Sequence, residues 1–497
     1  MSRVFGCVAA LLAYGTVGAV STVWAAPGPQ AHSPAAKPAR ASAAAPALRG
    51  LPPEAAAALQ HAGLPTDALS VVVHDLATGR RVLQWHERKP VNPASLVKLL
   101  TTAAALDRLG PAYTWATPVW LAGPVRDSVL EGSLHIKGSG DPKLVLERVW
   151  GLLRRVQQTG VREIRGDIVL DSSAFAVPDT APGDFDGEPL RPYNVSPAAL
   201  LFNFRSVTTT FTPDPAAGVA RVTVEPPLAG MQTDRSVPLA AGPCEQWRAA
   251  LKPVFEPGRT RFAGHYASSC GEQAWPLADA QPATFETRLL QALWQEMGGT
   301  LHGSVREGPA PVETRPSFEL RSPPLAELVR DINKFSNNLM AQQLYLTLAL
   351  QAAPRERATP DSARETLLRW LAERTGPLGD EVVLDNGSGL ARGTRISAQR
   401  LAVVLLHAWD SPWMSELMSS LPVSGVDGTL RRSRMAPGRA HLKTGSLRDV
   451  AAVAGYVLSN SGRRYVLVAI VNHAQAGAAR PALDALVQWT LRDAPAY

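Results

Sequence analysis

The stretch Ser95-Leu96-Val97-Lys98 sets a hydroxyl and an amine three residues apart in a run that reads as a helix. Residues at that spacing share a helix face, so the amine reaches the hydroxyl. A serine hydroxyl is a weak nucleophile until an adjacent base takes its proton. Lys can serve once its surroundings lower its pKa, whereas Arg stays protonated. The choice stands out in a chain with 42 Arg and only 8 Lys. The backbone N–H of Ser95 would also point out of the helix N-terminus, where developing negative charge is favoured. Alone, Ser-x-x-Lys is a frequent chance pattern, and a solvated pair is its ordinary explanation.

Two further stretches change that reading. "KFSNNLMAQQL" contains Ser336-Asn337-Asn338, at a helical loop, and "HLKTGSL" contains Lys443-Thr444-Gly445-Ser446, on a strand. Separately, Ser336 and Asn338 could cap a helix and Lys443 could be a surface residue, but those explanations would all have to coincide. In this chain order, Ser-x-x-Lys, Ser-x-Asn and Lys-Thr-Gly resemble the active-site set of penicillin-binding proteins and serine β-lactamases. More than two hundred residues separate Lys98 from Ser336, which leaves room for an insertion. With "GSGDPKL" (138–144), "GDIVLDSSAF" (166–175), "DNGSGLARGTRIS" (385–397) and "LPVSGVDGTL" (421–430), the chain resembles the low-molecular-mass D-alanyl-D-alanine carboxypeptidase/endopeptidase family, of the insert-bearing type, from about residue 50 to the C-terminus.

The resemblance implies a role for each matching residue. Ser95 would be the nucleophile and Lys98 its base. Ser336 and Asn338 would pass a proton to the leaving amine and hold the substrate amide. Lys443 and Thr444, followed by Gly445, would bind the terminal carboxylate of D-Ala-D-Ala. The N–H groups of Ser95 and Ser446 would form an oxyanion hole. Asp171, in Asp-x-Ser-x-Phe, resembles an insert position that meets the amino group of the third stem-peptide residue. Arg392 and Arg448 are candidates for attracting that residue's carboxylate, and for all three residues a solvated or structural role is the alternative. Ser388 in Gly387-Ser388-Gly389 is not expected to be a nucleophile, since a glycine-rich loop explains it.

The elements that must position these groups are readable at both ends of the chain. "ALSVVVHDLATGRRVLQW" reads as a hairpin with strands at 71–74 and 81–85 and a turn at 77–79. A helix follows, with Asn92 as its cap, Pro93 at its first position, Gly110 at its end and Leu96, Leu99, Leu100, Ala103 and Leu106 on its core face. Near the other end come a strand at "AHLKTGS", two long strands joined at 459–462, and a closing helix at 481–491. The expected fold class is α+β: a β-lactamase/transpeptidase-like catalytic domain, an antiparallel sheet flanked by helices, built from residues 49–113 and 317–497. Residues 114–316, rich in Pro and Gly, are expected to form a large, mainly β insertion of two small subdomains.

Composition bounds the remaining readings. A chain of 497 residues is too long for one core. Its net charge of +7 comes from scattered basic residues without a Lys/Arg-rich or aromatic-interleaved run, which argues against nucleic-acid binding. Residues 1–25 read as a secretory signal, with a retained anchor as the alternative, and the Ala/Pro-rich residues 26–48 as a disordered linker. Export to the periplasm or elsewhere in the cell envelope is therefore expected, with membrane association at most peripheral. After removal of the signal only Cys244 and Cys270 remain, and one disulfide is the simplest reading, two buried thiols the other. Nothing in the sequence has metal-ligand spacing, and no cofactor is implied. The expected partners are peptidoglycan peptides ending in D-Ala-D-Ala or D-Ala cross-links, and β-lactams as inhibitors. A β-lactamase is the nearest rival, although no Glu-x-x-Leu-Asn segment supplies a deacylating carboxylate. A non-catalytic wall-binding or antibiotic-sensing module is the other.

Overall fold

The tail strands show why a pattern search for alternation would miss them. Val450–Leu458 and Arg464–Asn472 are nearly continuous apolar runs because both faces of their sheet are covered. A computed structural model describes residues 50–256 and 258–494. The expected signal segment and linker lie outside the described residues.

The sheet is five-stranded and antiparallel, in the order Arg81–Trp85, Leu69–Asp75, Arg464–Asn472, Val450–Leu458, Ala440–Leu447. Helices Pro53–His61 and Arg480–Leu491 cover one face around Leu59, Leu69, Leu483 and Trp489. Helices Val97–Leu109, Asn338–Ala352, Pro360–Thr375 and Ala398–Trp409 pack into the core on the other. Both chain ends thus build one sheet. Gly455 is required where two strands meet, since its φ is +151° and a Cβ there would lie 2.1 Å from the His441 carbonyl oxygen.

The helix after the hairpin begins differently from the sequence expectation. Asn92 Oδ1 accepts from the Ala94 N–H at 2.8 Å and closes a short turn, so it does not cap the α-helix. A 3₁₀ turn, Ala94–Leu96, intervenes before Val97–Leu109 starts. Gly110 does end the helix, at φ +78°.

The inserted region is β-rich and carries helices as well. Its inner part is a mixed sheet of Ala116–Ala122, Ser133–Lys137, Ile168–Asp171, Val305–Glu307 and Phe318–Arg321. The last of these strands runs past residue 316, where the sequence had suggested a boundary. Helices Leu146–Gln158 and Phe285–Glu296 pack in the same core, around Leu152, Leu289 and Trp294. The outer lobe is a second sheet including Ser206–Asp214, Val219–Glu225 and Gln273–Ala278, built on Phe211, Phe262 and Tyr266. Cys244 and Cys270 are bonded there, closing a loop with a sequence separation of 26.

Candidate active site

Ser95 sits in the 3₁₀ turn with Lys98 in the first turn of the helix that follows. The turn is held from outside by the loop of "DNGSGL". Gly389, at φ +82°, lets that loop approach closely, since a Cβ there would lie 2.0 Å from the Ala94 carbonyl oxygen. Thr101 Oγ1 donates to the Gly387 carbonyl at 2.7 Å on the same side.

Lys98 is fully buried. Its Nζ lies 3.1 Å from Ser95 Oγ, 2.6 Å from Asn338 Oδ1 and 2.5 Å from the Ser388 carbonyl oxygen. A carbonyl accepts and cannot donate, so Asn338 and Ser388 take two amine protons. Neutral Lys98 has two such protons and one lone pair, and that lone pair is left for the Ser95 hydroxyl. Burial, and then the charge of Lys443, hold the pKa of Lys98 well below its ordinary 10.5.

Ser336 joins two helices, Leu325–Phe335 and Asn338–Ala352, in the left-handed region at φ +56°. Asn337 caps the second by accepting from the Met340 N–H at 3.0 Å. The sharp junction aims Ser336 and Asn338 toward the serine turn. Ser336 Oγ accepts from Lys443 Nζ at 2.8 Å, and the Thr444 carbonyl also accepts from Lys443 at 2.8 Å. Lys443 is fully buried, and burial lowers its pKa to about 7. Its strand, Ala440–Leu447, is the sheet edge nearest the turn. Gly445 lets it pass close by, since a Cβ there would lie 2.8 Å from the Pro93 carbonyl oxygen.

A cleft of about 810 Å³ opens above these residues. The catalytic half lines it with Ser95, Ser336, Asn338, Ser446, Arg392 and Arg448, and the insertion adds Phe185, Asp186 and Tyr193. Arg392 crosses between them: its Nη2 donates to the Phe185 carbonyl at 3.1 Å and its guanidinium lies 4.9 Å from the ring centroid.

Asp171 is not brought to this cleft. It is buried at the end of its strand, where its oxygens accept from the Ser173 and Ala310 N–H groups at 2.8 and 2.9 Å. Lys137 Nζ lies 3.8 Å from the same carboxylate. Its chemistry is spent on tying the inserted strands together. The acid that does face the cleft is Asp186, held by Tyr193 Oη at 2.9 Å and Asn194 Nδ2 at 2.8 Å, and the sequence reading passed over it. The Ser388 carbonyl was missed as well: the backbone of its loop accepts from the Lys98 amine. A backbone acceptor leaves no mark in residue type beyond the glycines that let it approach.

A serine hydroxyl, a buried amine within hydrogen-bond distance of it, and a second serine–lysine pair are the set a serine acyl hydrolase needs. The D-Ala-D-Ala carboxypeptidase 3 (S13) family matches residues 53–493, and the chain belongs to that family of serine peptidases. It is 29% identical over 475 residues to a D-alanyl-D-alanine carboxypeptidase of Actinomadura sp. (strain R39), covering 89% of this chain and 85% of the relative. Its fold is similar to the crystal structure of penicillin binding protein 4 (dacB) from Haemophilus influenzae, with a TM-score of 0.72 at 21% identity, covering 88% of this chain and 99% of the other. A predatory peptidoglycan endopeptidase from Bdellovibrio bacteriovorus matches with a TM-score of 0.51 at 16% identity, covering 85% and 92%.

Proposed function

We propose that the protein cleaves the D-Ala-D-Ala bond of peptidoglycan stem peptides, or a D-Ala cross-link, through an acyl-enzyme on Ser95. The observation that carries this reading is the Lys98 amine, with two carbonyl acceptors on its protons and Ser95 Oγ at 3.1 Å. In the first step Ser95 Oγ bonds to the substrate carbonyl carbon as its proton passes to Lys98 Nζ. The N–H groups of Ser95 and Ser446 face the oxygen that becomes negative. Ser336 already accepts from Lys443, so its own proton is free for the leaving nitrogen as the C–N bond breaks. The proton gained by Lys98 is passed on to replace the one Ser336 gave, so Lys98 is neutral and Ser336 is again a hydroxyl when the amine leaves. Water then attacks the ester as Lys98 takes its proton, and Lys98 returns that proton to Ser95 Oγ as the ester C–O bond breaks, which restores Ser95.

Lys443 and Thr444 suit the terminal carboxylate. Asp186 on one wall, with Arg392 and Arg448 on the other, suits a third stem residue that carries both an amino and a carboxyl group. β-Lactams would acylate Ser95 as substrate mimics. The bonded Cys244 and Cys270 support a place in an oxidising compartment of the cell envelope. Labelled penicillin followed by peptide mapping tests the reading: label is expected on Ser95, and label on Ser336 or Ser388 overturns it.

A further inference from the structure

The segment "LPVSGVDGTL" supplies no group to the mechanism above, yet it is anchored to the helix that delivers Ser336. Lys334, two residues before Ser336, is almost wholly buried. Its Nζ donates to both oxygens of Asp427, at 2.9 and 2.6 Å, and to the Leu421 carbonyl at 2.6 Å. Asp427 Oδ1 also accepts from the Val423 N–H at 2.8 Å. The turn Gly428–Leu430 then closes directly onto the Lys334 backbone, where a Cβ on Gly428 would lie 2.6 Å from the Lys334 carbonyl oxygen. This rigid turn presents one side chain to the catalytic strand: Thr429 Oγ1 lies 2.8 Å from Thr444 Oγ1.

Each hydroxyl has one proton and two acceptor positions. Within a bonded pair one oxygen donates and the other accepts. If Thr444 donates to Thr429, its proton is unavailable to a substrate. If Thr429 donates, the Thr444 proton is free to point into the cleft. Lys443 has committed two N–H groups, to Ser336 Oγ and the Thr444 carbonyl, so donors for a carboxylate are scarce here.

We propose that Thr429 is a positioning residue for carboxylate recognition: its hydroxyl donates to Thr444 Oγ1 and so turns the Thr444 proton toward the carboxylate of the substrate or β-lactam. This rests on the reading of Thr444 as a carboxylate-binding residue. A carboxylate that pulls on the Thr444 proton also makes Thr444 a better acceptor, so the two bonds strengthen each other.

The test compares acylation of the full-length protein by benzylpenicillin, which has the free carboxylate, and by its methyl ester. The readout is the ratio of the two second-order rate constants, with thermal melting recorded for every variant. Thr429→Val keeps the shape, removes the hydroxyl, and is expected to lower the acid/ester ratio about tenfold, the scale of one hydrogen bond to a charged group. Thr429→Ser is expected to restore it. Thr429→Val combined with Thr444→Val is expected to lower the ratio no further than Thr444→Val alone, because one residue acts through the other. An equal loss on acid and ester, an unaltered ratio, or multiplicative losses in the double variant each overturn the proposal. A wild-type ratio in Thr444→Val instead overturns the underlying assignment of Thr444.

Discussion

The catalytic half and the outer lobe of the insertion use polar groups in opposite ways. In the catalytic half, buried lysines reach partners far along the chain: Lys98 to Asn338 and Ser388, Lys443 to Ser336, Lys334 to Asp427. In the outer lobe the ion pairs are local and exposed, such as Arg221–Asp214 and Arg261–Glu256. Exposed pairs of that kind contribute little. The lobe is held instead by a small aromatic cluster, with Phe211 stacked on Tyr266 at 5.5 Å, and by one disulfide. The lesson is that buried polar groups of the catalytic half either gather at the cleft, as Lys98 and Lys443 do, or anchor a turn beside it, as Lys334 does. Burying two amines depresses their pKa, which costs stability at neutral pH, and the large apolar core on both faces of the sheet offsets that cost.

The largest expected effect breaks the catalytic side of this comparison. Lys98→Met keeps the length and removes the base, so acylation by labelled penicillin is expected to fall at least about 10²–10⁴-fold. Because a neutral side chain replaces a buried amine, the melting temperature is expected to hold or rise. A coincident loss of fold and activity would mean that Lys98 serves cohesion after all.

The outer lobe is expected to show the reverse. Reducing Cys244–Cys270, or replacing both by Ser, should destabilise the lobe by about 3 kcal/mol in the chain-entropy account. Acylation by a simple penicillin is expected to change little, because neither Cys lines the cleft. Denaturant melts and acylation rates on the same sample check both halves of this statement.

The depressed lysines also predict a pH dependence. Acylation by benzylpenicillin should rise as Lys98 loses its proton, then fall above about pH 7 as Lys443 loses the charge that attracts the carboxylate. The methyl ester should lack the alkaline fall. For stability the sign follows from proton counts. Folded Lys443 titrates at about 7, below its ordinary 10.5, so between those values the unfolded chain binds more protons and stability gains with pH. Lys443→Met should therefore be stabilised over wild type below pH 7, with the gap closing toward pH 10.5. Parallel melts across that range test it.

The smallest effects separate two aspartates of the insertion. Asp186→Asn is expected to weaken cleavage of peptides with a free amino group at the third residue by a few-fold, consistent with one exposed charge contact. Asp171→Asn is expected to lower stability by about 1–3 kcal/mol, the scale of a buried acceptor disturbed, and to leave the preference among peptides unaltered. Product analysis on paired peptides and melting curves distinguish them. A substrate-selective effect of Asp171→Asn would return that residue to the cleft.

The sequence by itself determined the chemistry that depends on local spacing. Ser95 and Lys98, three residues apart, meet where a 3₁₀ turn runs into a helix, and Ser336-x-Asn338 spans a helix junction. Lys443-Thr444-Gly445 lies on a strand whose apolar neighbours mark a buried sheet. The two ends of the chain likewise declared their strands and helices through periodicity and turn residues. Tertiary structure alone decided three other things. It lowered the pKa of Lys98, since a pKa depends on burial and on a second lysine hundreds of residues away. It placed the Ser388 carbonyl on that amine, a backbone contact that no side-chain pattern encodes. It turned Asp171 inward, to two backbone N–H groups, and left Asp186 on the cleft, because a strand-end acid faces whichever side its sheet and neighbouring loops leave it.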